Sequence, residues 1–451
     1  MPLSGTTNSI RCAAKTTARE NVHREVFHIE EPTFLSRLLL HVLPKLAALV
    51  AFTVAITILP VVAARTAKTT TAVKTGLDVF EQQHFAPLRG KRVGLITNHT
   101  GVDHKGRSVI DLLANAPGVK LAALFNPEHG LFGRADEKVS SITYEVKTKK
   151  GPVKVAVHSL YGETRRPLPE MLVGLDALVF DIQDAGVRFY TYTTTMGYAM
   201  EEAAKNHIAF YVLDRPNPIG GEVIEGPILD RDRLSFVGYF PMPVRYAMTI
   251  GELARMFNTE NRIGCDLHII AMQGWQRSEW YADTGLAWIA PSPNLRTLPA
   301  TVLYPGLEIL QNADVSVGRG TATPFEEFGA PWMRGEEISA EIGRRGIPGL
   351  RFSATRYTPE NGLHKGELCE GAAIEIVDRN AVRSIRMGLE IADLLQKQYP
   401  DNFSVERTLL LLGNAATIQN LKNRMPPADV VASWSTDLAA FQQMRAKYLL
   451  Y

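Results

Sequence analysis

Four short stretches of this 451-residue sequence combine carboxylate, amide, imidazole and guanidinium side chains. Groups of these kinds transfer protons and form hydrogen bonds with hydroxyl-rich ligands. The Asn, Pro and Gly residues among them also favour turns, so one such stretch alone would mean little. Four together favour a ligand-binding cleft. The stretches are TNHTG (97–101), NPEHG (126–130), DIQD (181–184) and DRPNP (214–218).

Glu128, in the second stretch, is the candidate for a general acid. Hydrolysis of a glycosidic bond needs a protonated carboxyl group beside the leaving oxygen, and usually a second carboxylate. A Glu at this position could instead stabilise a turn or cap a helix. The second catalytic role stays open among Asp181, Asp184 and Glu163. Glu163, in YGETRRP, could equally be a solvated loop residue.

The remaining polar and aromatic residues suit the binding of a sugar. Amides and carboxylates bind hydroxyl groups, aromatic rings stack on the sugar face, and arginines pair with an anionic group through two hydrogen bonds. For any single arginine, a solvated or carboxylate-paired guanidinium is the more common arrangement. The residues expected to bind substrate are Asn98, His99, His129, Gln183, Arg188, Tyr190, Tyr192, Asp214, Arg215, Asn217 and Arg319.

Several well-known catalytic motifs are missing from the sequence. It contains no GxxxxGK(S/T), no GxGxxG after a strand, no GxSxG and no HExxH, which disfavours nucleotide binding, serine hydrolysis and zinc proteolysis. We expect no cofactor. His99, His129, Asp181 and Asp214 are of the right types to bind a metal ion, but without a tight metal-binding spacing. A metal-dependent amide or ester hydrolase and a non-catalytic sugar-binding protein therefore remain alternatives.

Alternating strands and helices must position these residues. Strands separated by helices predict an α/β domain with a mostly parallel sheet. Ligands bind outside the carboxyl ends of such strands, and each polar stretch lies at or directly after one of these ends. We therefore expect the four stretches to line one cleft. The predicted elements are buried strands at 91–99, 119–125, 175–182 and 208–213, helices at 108–116 and 194–206, and a hairpin turning at 149–152.

The chain after residue 243 is less regular. The sequence TIGE (249–252) is a capping box that predicts a helix, and a Trp-, Pro- and Ser-rich segment at 275–296 predicts a long functional loop. Later elements are predicted as strands at 266–272 and 372–377 and a helix at 382–398. We expect a catalytic α/β domain at 76–243 and a smaller α+β domain at 244–451 that completes the cleft.

The first 64 residues have the layout of an export signal. Basic residues precede an apolar run at 46–64, which ends in small residues where cleavage would occur. The run is close to the roughly 20 residues that span a bilayer, so an uncleaved membrane anchor is the alternative. We expect an exported protein, periplasmic or secreted, that contacts a membrane only if this segment is retained.

Composition narrows the classes of protein further. The chain is 45% hydrophobic and 21% charged, which excludes wholesale disorder and a fibrous repeat. It carries 49 basic and 47 acidic residues, so nothing points to nucleic acid as a partner. Its three cysteines lack CxxC spacing, which excludes a zinc knuckle and a disulfide scaffold. After export only Cys265 and Cys369 would remain, as one disulfide or as buried thiols.

Nine stretches together resemble one family, once known only as the domain of unknown function DUF1343. That family is associated with the exo-β-N-acetylmuramidase NamZ and with glycoside hydrolase family 171. The resemblance covers nearly the whole chain after about residue 76. The stretches are GLDVF (76–80), KRVGLITNHTGVD (91–103), LFNPEHGLFG (124–133), SLYGETRRP (159–167), VFDIQDAGVRFYTYTTTMGYAMEEA (179–203), VLDRPNPIGGEVIEGP (212–227), PSPNLRTL (291–298), SVGRGTATPFEEFGAPW (316–332) and GELCEG (366–371).

The resemblance implies a Rossmann-like N-terminal domain and a smaller C-terminal domain with the active site in the cleft between them. It also implies release of terminal N-acetylmuramic acid from the non-reducing end of a peptidoglycan-derived muropeptide or disaccharide, with Glu128 in catalysis. The lactyl carboxylate of that sugar could pair with an arginine in the cleft. Its 2-acetamido group could attack its own anomeric carbon, so retaining, inverting and substrate-assisted mechanisms all stay open.

Overall fold

A seven-stranded sheet forms the centre of the computed structural model, which describes residues 72–133 and 142–451. The strands lie in the order β3-β4-β2-β1-β5-β6-β7, and all neighbours are parallel except β3 and β4. The predicted mostly parallel sheet is confirmed, and β3 and β4 form the predicted hairpin. The strands are β1 Arg92–Thr97, β2 Lys120–Asn126, β3 Ile142–Thr148, β4 Gly151–Ser159, β5 Ala177–Asp181, β6 Ala209–Leu213 and β7 Leu267–Ile270.

The two faces of this sheet enter two apolar cores, because successive side chains of a strand point to opposite faces. In β5, Leu178 and Phe180 join one core, whereas Ala177 and Val179 join the other. Every residue of β5 and β6 is buried. Helices cover both faces of such a sheet, so its central strands are continuous apolar runs rather than alternating ones.

Twelve α-helices lie in the described residues. The helix that begins after Thr249 has the predicted capping box, since the Thr249 side chain accepts from the backbone of Glu252 and the Glu252 side chain accepts from that of Thr249. The helices are α1 Gly76–Gln82, α2 Val109–Ala114, α3 Pro169–Leu172, α4 Tyr192–Lys205, α5 Ile250–Glu260, α6 Leu298–Leu307, α7 Gly335–Arg344, α8 Ser384–Gln398, α9 Leu409–Leu412, α10 Ala415–Lys422, α11 Pro427–Ser433 and α12 Ser435–Ala446.

A second, antiparallel sheet of three strands lies in the C-terminal part of the chain. Its order is β8 (Glu327–Ala330), β10 (Cys369–Ile376) and β9 (Leu350–Tyr357). Phe328 of β8 belongs to the same apolar core as Phe180 of the large sheet. Strand β7 belongs to the large sheet although it follows residue 243. The division into domains at that residue stays a prediction.

Helices α6 and α8 approach each other closely at two glycines. A Cβ atom on Gly306 would lie 1.8 Å from the carbonyl oxygen of Ser384, and one on Gly388 would lie 2.3 Å from the carbonyl oxygen of Gly306. Only a residue without a side chain fits at such a contact. Helix α6 continues into a 3-10 helix at Glu308–Ala313, so this contact fixes the position of that segment.

Some sequence-based predictions concern residues that the structure does not describe. The export segment at 46–64 and Cys12 lie outside the described residues. Within the described residues, no helix is long and apolar enough to cross a membrane. Cys265 and Cys369 are both buried and both free thiols.

Candidate functional site

A pocket of about 290 Å³ opens where the carboxyl end of the large sheet meets the C-terminal part of the chain. Pockets that bind small ligands measure about 300–1,000 Å³, so this one suits a single sugar ring rather than a chain of them. Its wall combines acidic, aromatic and basic side chains. The lining residues are Glu128, His129, Phe189, Tyr190, Thr191, Val237, Ser292, Tyr304, Glu308, Arg319, Phe325 and Leu411.

Glu128 reaches the pocket from a tight turn that follows β2. His129 has a φ of 69°, and the Gly130 N–H donates to the carbonyl oxygen of Pro127 at 3.1 Å. The Thr191 hydroxyl donates to Glu128 Oε2 at 2.6 Å. Oε1 of Glu128 is therefore the oxygen left to carry and deliver a proton.

Glu308 and Arg319, which also line the pocket, form an ion pair. Arg319 donates to Glu308 Oε1 at 2.7 Å, and its guanidinium carbon lies 5.2 Å from the centre of the Phe325 ring. Burial raises the pKa of Glu308 from 4.5 to about 7; the positive charge of Arg319 opposes this shift, and the negative charge of Glu128 adds to it. The pocket thus holds two carboxyl groups and one guanidinium.

Aromatic side chains pack behind and beside Glu128. Tyr190 packs edge-on against Tyr192, with ring centres 4.7 Å apart, and against Tyr304 at 6.0 Å. The Tyr192 hydroxyl donates to the Pro291 carbonyl oxygen at 2.8 Å and accepts from the Asn98 amide at 3.0 Å. Of these predicted binding residues, Tyr190 lines the pocket, whereas Tyr192 and Asn98 hold its wall in place.

His99 also supports the wall of the pocket. Its Nε2 lies 2.7 Å from the carbonyl oxygen of Ala290, two residues before the pocket residue Ser292. Burial lowers the pKa of His99; the contact with Ala290 opposes this effect, and a positive charge on His129 adds to it. The lowered pKa favours neutral His99, which can still donate from Nε2 to the carbonyl oxygen of Ala290.

Asp184 lies close to this region but outside the lining of the pocket. It accepts hydrogen bonds from the Tyr246 hydroxyl and from the Gly186 N–H. Burial raises its pKa from 3.8 to about 6, although both hydrogen bonds oppose the shift. This environment holds Asp184 in a fixed structural network.

Asp181 and Arg215 form a buried ion pair that belongs to a separate, small cavity. Arg215 donates to the two oxygens of Asp181 at 2.6 and 2.9 Å. Arg215 and Gln183 line a cavity of about 60 Å³, which has room for only one or two water molecules. Gln183 donates to the carbonyl oxygen of Pro216 at 2.8 Å.

Two further predicted residues hold loops together. Asp214 accepts from the hydroxyls of Thr249 and Tyr451 and from the Gly251 N–H, at 2.7–2.8 Å. The Asn217 side chain donates to the Met248 carbonyl oxygen at 2.9 Å and accepts from the Ile219 N–H at 3.1 Å. These contacts fix the loop after β6 and the start of α5.

Arg188 is fully buried and joins distant parts of the chain. Its guanidinium donates to the carbonyl oxygens of Pro227, Met242, Leu411 and Leu412 at 2.7–3.0 Å. Burial lowers its pKa to about 9. Leu411 lines the pocket, so Arg188 supports the pocket from behind its wall. Glu163, by contrast, is exposed on the loop after β4.

The residues that the sequence offered as metal ligands do not form one cluster in the described structure. Asp181 and Asp214 are occupied by the contacts described above. Within the described residues, one cluster brings three ligand atoms within 4.8 Å of one another, and it consists of Asp78, Asp103 and His104. Its carboxylate oxygens already accept hydrogen bonds from Thr75, His104, Lys105 and Arg107. This arrangement stabilises a loop and leaves little capacity for a cation.

Two wider hollows lie elsewhere on the surface, with volumes of about 490 and 500 Å³. The first lies between α2 and the β3–β4 hairpin, and the second between α5 and α12. Neither contains a residue that the sequence singled out, whereas the smaller pocket contains Glu128, His129, Tyr190 and Arg319. Chemistry rather than size therefore identifies the candidate site.

Sequence reasoning missed several residues of the pocket. Thr191, Tyr304 and Glu308 line the pocket with Glu128 and Arg319 but were not predicted. For Glu308 a signal was present, because it is a single acid within the apolar run YPGLEIL. A charged residue in such a run is rarely fully buried unless it is paired.

Fold and site together define an α/β protein with a small pocket that holds an acid, a second carboxyl group, an arginine and aromatic rings. Family comparisons are more specific. A family model described as exo-beta-N-acetylmuramidase NamZ, N-terminal, matches residues 93–299, and its C-terminal counterpart matches residues 302–451. The chain therefore belongs to the NamZ family.

Individual relatives agree with this assignment. The chain is 42% identical over 384 residues to the peptidoglycan beta-N-acetylmuramidase NamZ of Bacillus subtilis, covering 84% of this chain and 91% of the relative. Two crystal structures of DUF1343 family proteins from Bacteroides fragilis are also similar, each covering 84% of this chain and 99% of its own. Their TM-scores are 0.76 and 0.67, at 39% and 28% identity.

Proposed function

We propose that this protein is an exo-acting N-acetylmuramidase that releases terminal N-acetylmuramic acid from the non-reducing end of peptidoglycan fragments. The observation that carries the proposal is the placement of Glu128 and Arg319 in one small pocket. Glu128 can protonate the leaving oxygen. Arg319 can pair with the lactyl carboxylate, the group that distinguishes this sugar from N-acetylglucosamine.

The size of the pocket supports cleavage at a chain end. A volume of about 290 Å³ accommodates one terminal sugar ring, whereas an enzyme that cuts within a chain needs an open groove on both sides of the scissile bond. The aromatic residues Tyr190, Tyr304 and Phe325 provide apolar surface against the ring. Family membership supports the same reaction, because the Bacillus relative is named as a peptidoglycan beta-N-acetylmuramidase.

The test is hydrolysis of a chromogenic N-acetylmuraminide compared with the matching N-acetylglucosaminide, each with and without a chelator. We expect kcat/KM to be at least roughly tenfold higher for the muraminide, since a hydrogen bond to a charged group contributes about 1.5–3 kcal/mol. A chelator should have no effect. Equal rates on the two sugars would contradict the proposed specificity, loss of activity with chelator would indicate a metal-dependent hydrolase, and binding without turnover would indicate a sugar-binding protein.

An arginine variant tests the role of Arg319. Arg319→Ala should lower the ratio of the kcat/KM values for the muraminide and the glucosaminide, because only the muraminide carries the lactyl carboxylate, whereas a loss that comes from the ion pair with Glu308 should affect both sugars alike. Arg351→Ala is the matched control, since Arg351 is exposed and pairs with Glu375 on the surface. An unchanged preference in Arg319→Ala would show that another group binds the lactyl carboxylate.

We also propose that the protein acts outside the cytoplasm, where its substrate lies. The proposal rests on the apolar run at 46–64 with its preceding basic residues. Amino-terminal sequencing of the protein recovered from cells should show a start near residue 65. A start at the first residue, with the protein in the membrane fraction, would indicate an anchor.

A further inference from the structure

Glu308 presents an unused hydrogen-bond acceptor to the candidate site. Glu308 is only 8% exposed to solvent, and it lines the same pocket as Glu128. Oε1 accepts from Arg319 at 2.7 Å. Among residues 72–133 and 142–451, nothing donates a hydrogen bond to Oε2. Such a buried, unpartnered oxygen costs free energy unless a ligand satisfies it.

The other carboxyl groups near the site do not line the pocket. Both oxygens of Asp181 accept from Arg215. Asp184 accepts from Tyr246 and Gly186 through Oδ2, and its Oδ1, although without a partner in the described residues, lies outside the lining of the pocket. Of the acids near the pocket in the described residues, only Glu128 and Glu308 line it. Glu128 is assigned to the leaving oxygen. Among the described residues that line the pocket, Glu308 is therefore the carboxyl group left for the second role in the reaction.

We propose that Glu308 is the second catalytic residue, and that its Oε2 accepts the N–H of the substrate's 2-acetamido group. This assignment rests on the proposed function, because the acetamido group belongs to the proposed substrate. A carboxylate whose other oxygen is held by Arg319 is kept in one orientation. It accepts an N–H well but has its negative charge partly compensated, which makes it a weak nucleophile.

The step balances with the groups present. The acetamide carbonyl oxygen forms a bond to the anomeric carbon, and the bond from that carbon to the leaving oxygen breaks. Glu128 gives its proton to the leaving oxygen, and the acetamide N–H proton passes to Glu308, which leaves a neutral oxazoline. Water then forms a bond to the anomeric carbon as the bond from that carbon to the acetamide oxygen breaks. One proton of the water passes to Glu128, and Glu308 returns its proton to the nitrogen, which restores the acetamido group.

The charges around Glu308 fit this role. The groups that act on it are Arg319, Glu128 and the buried Tyr304 hydroxyl, with His129 elsewhere in the same pocket. Burial raises the pKa of Glu308 to about 7 despite Arg319. A group that titrates near the working pH exchanges protons most effectively.

The experiment compares Glu308→Gln with Glu128→Gln in the full-length protein, on a natural disaccharide and on an aryl muraminide. We expect Glu308→Gln to lower kcat by about 10²–10⁴-fold on both substrates, because bond formation at the anomeric carbon is needed for either leaving group. Glu128→Gln should lower kcat much less on the aryl muraminide than on the disaccharide. Glu326→Gln is the matched control: its carboxylate accepts from Thr297 outside the pocket, one residue from Phe325.

A second measurement separates this role from a merely structural one. Replacing the N-acetyl group of the substrate by N-trifluoroacetyl makes the carbonyl oxygen a poorer nucleophile, so the wild-type rate should fall more than about tenfold. Thermal unfolding should show that both Gln variants are folded.

Three outcomes would overturn the assignment. A folded Glu308→Gln variant with wild-type kcat would do so, and so would an unchanged rate with the fluorinated substrate. A glycosyl azide of inverted anomeric configuration, formed by Glu308→Ala in the presence of azide, would show a covalent nucleophile instead. A wild-type protein that leaves the muraminide intact would overturn the proposed function itself, whereas an active wild type with an equally active Glu308→Gln overturns this inference alone.

Discussion

Glu128 is an acid whose carboxylate is held by the hydroxyl of Thr191. The turn at His129 and Gly130 aims its side chain into the pocket, and Thr191 at the start of α4 occupies Oε2. This hydrogen bond leaves Oε1 as the oxygen through which Glu128 can give a proton to a ligand in the pocket. A residue that protonates a leaving group matters in proportion to how much help that group needs.

Substitution of Glu128 should therefore have a leaving-group signature. Glu128→Gln keeps the shape of the side chain but cannot deliver a proton. We expect kcat to fall about 10²–10⁴-fold for a natural disaccharide and much less for an aryl muraminide, whose leaving group departs unprotonated. Steady-state rates on the two substrates provide the measurement, with Glu170→Gln, an exposed carboxylate of α3, as control. An equal loss of kcat on both substrates would show that Glu128 is not the general acid, and Glu163 and Asp184 should then be tested in its place.

The sequence indicates which polar residues lie near strand ends, but it does not indicate which side chains they contact. Glu128, His129, Tyr190 and Arg319 were chosen from the sequence and all line the pocket. Asp214 was chosen on the same grounds, yet it is held by Tyr451 from the far end of the chain. The sequence shows that an acid follows a strand, but whether it is free or already paired depends on contacts between distant segments.

Helix α6 is positioned by its close contact with α8 at Gly306. Its residues Tyr304 and Leu307 are buried, and it leads directly into Glu308. The contact at Gly306 allows no side chain. Any movement of α6 would therefore displace Tyr304 and Glu308 together.

Two glycine substitutions test this dependence. Gly306→Ala should destabilise the protein by about 1–3 kcal/mol, because the new methyl group meets the backbone of Ser384, and it should also lower kcat. Gly343→Ala, in the exposed part of α7 with no atom within 4 Å of the new methyl group, should stabilise by roughly 0.5–1 kcal/mol. Denaturant unfolding and activity assays provide the measurements. A fully stable and active Gly306→Ala protein would contradict the proposed rigidity of this contact.

Elements with strong local signals were predictable from the sequence. The capping box at Thr249 and the hairpin of β3 and β4 have local causes, in side-chain hydrogen bonds and in turn residues. The three-stranded antiparallel sheet was only partly predicted, since β9 (LRFSATRY) has no buried residue and lacks a continuous apolar run. Its stability comes from pairing with β10, which a local pattern does not reveal.

Buried acids give the whole molecule a dependence on pH. Burial raises the pKa of Asp184 to about 6, above its usual 3.8. The folded state therefore holds this proton more tightly than the unfolded chain does. The resulting contribution to stability is complete below about pH 4 and is lost as the pH rises through about 6.

Asp184→Asn isolates this contribution. Asn can still accept from Tyr246 and Gly186 but does not titrate. Relative to the variant, the wild type should lose on the order of 3 kcal/mol of unfolding free energy between pH 4 and pH 7.5. Urea unfolding of both proteins at several pH values provides the measurement. A stability difference that does not change with pH would show that Asp184 keeps an ordinary titration in the folded protein.

At the scale of the whole molecule, the large sheet could be predicted but the completed pocket could not. The parallel strands follow from apolar runs and from their alternation with helices. Glu308, Phe325 and Leu411 enter the pocket from segments far along the chain. Their approach depends on a shared apolar core in which Phe180 and Phe328 take part, and core packing of this kind has no signature in a single sequence.

The wall of the pocket spans the chain from Glu128 to Leu411, and this has a consequence for biosynthesis. At about 5–20 residues per second, a ribosome adds Leu411 on the order of 15–60 s after Glu128. Throughout that interval the nascent chain has the acid but not the enclosure around it. Hydrolytic capacity should therefore arise late and all at once, after synthesis is nearly complete, and an amino-terminal fragment should be inert however well its sheet folds.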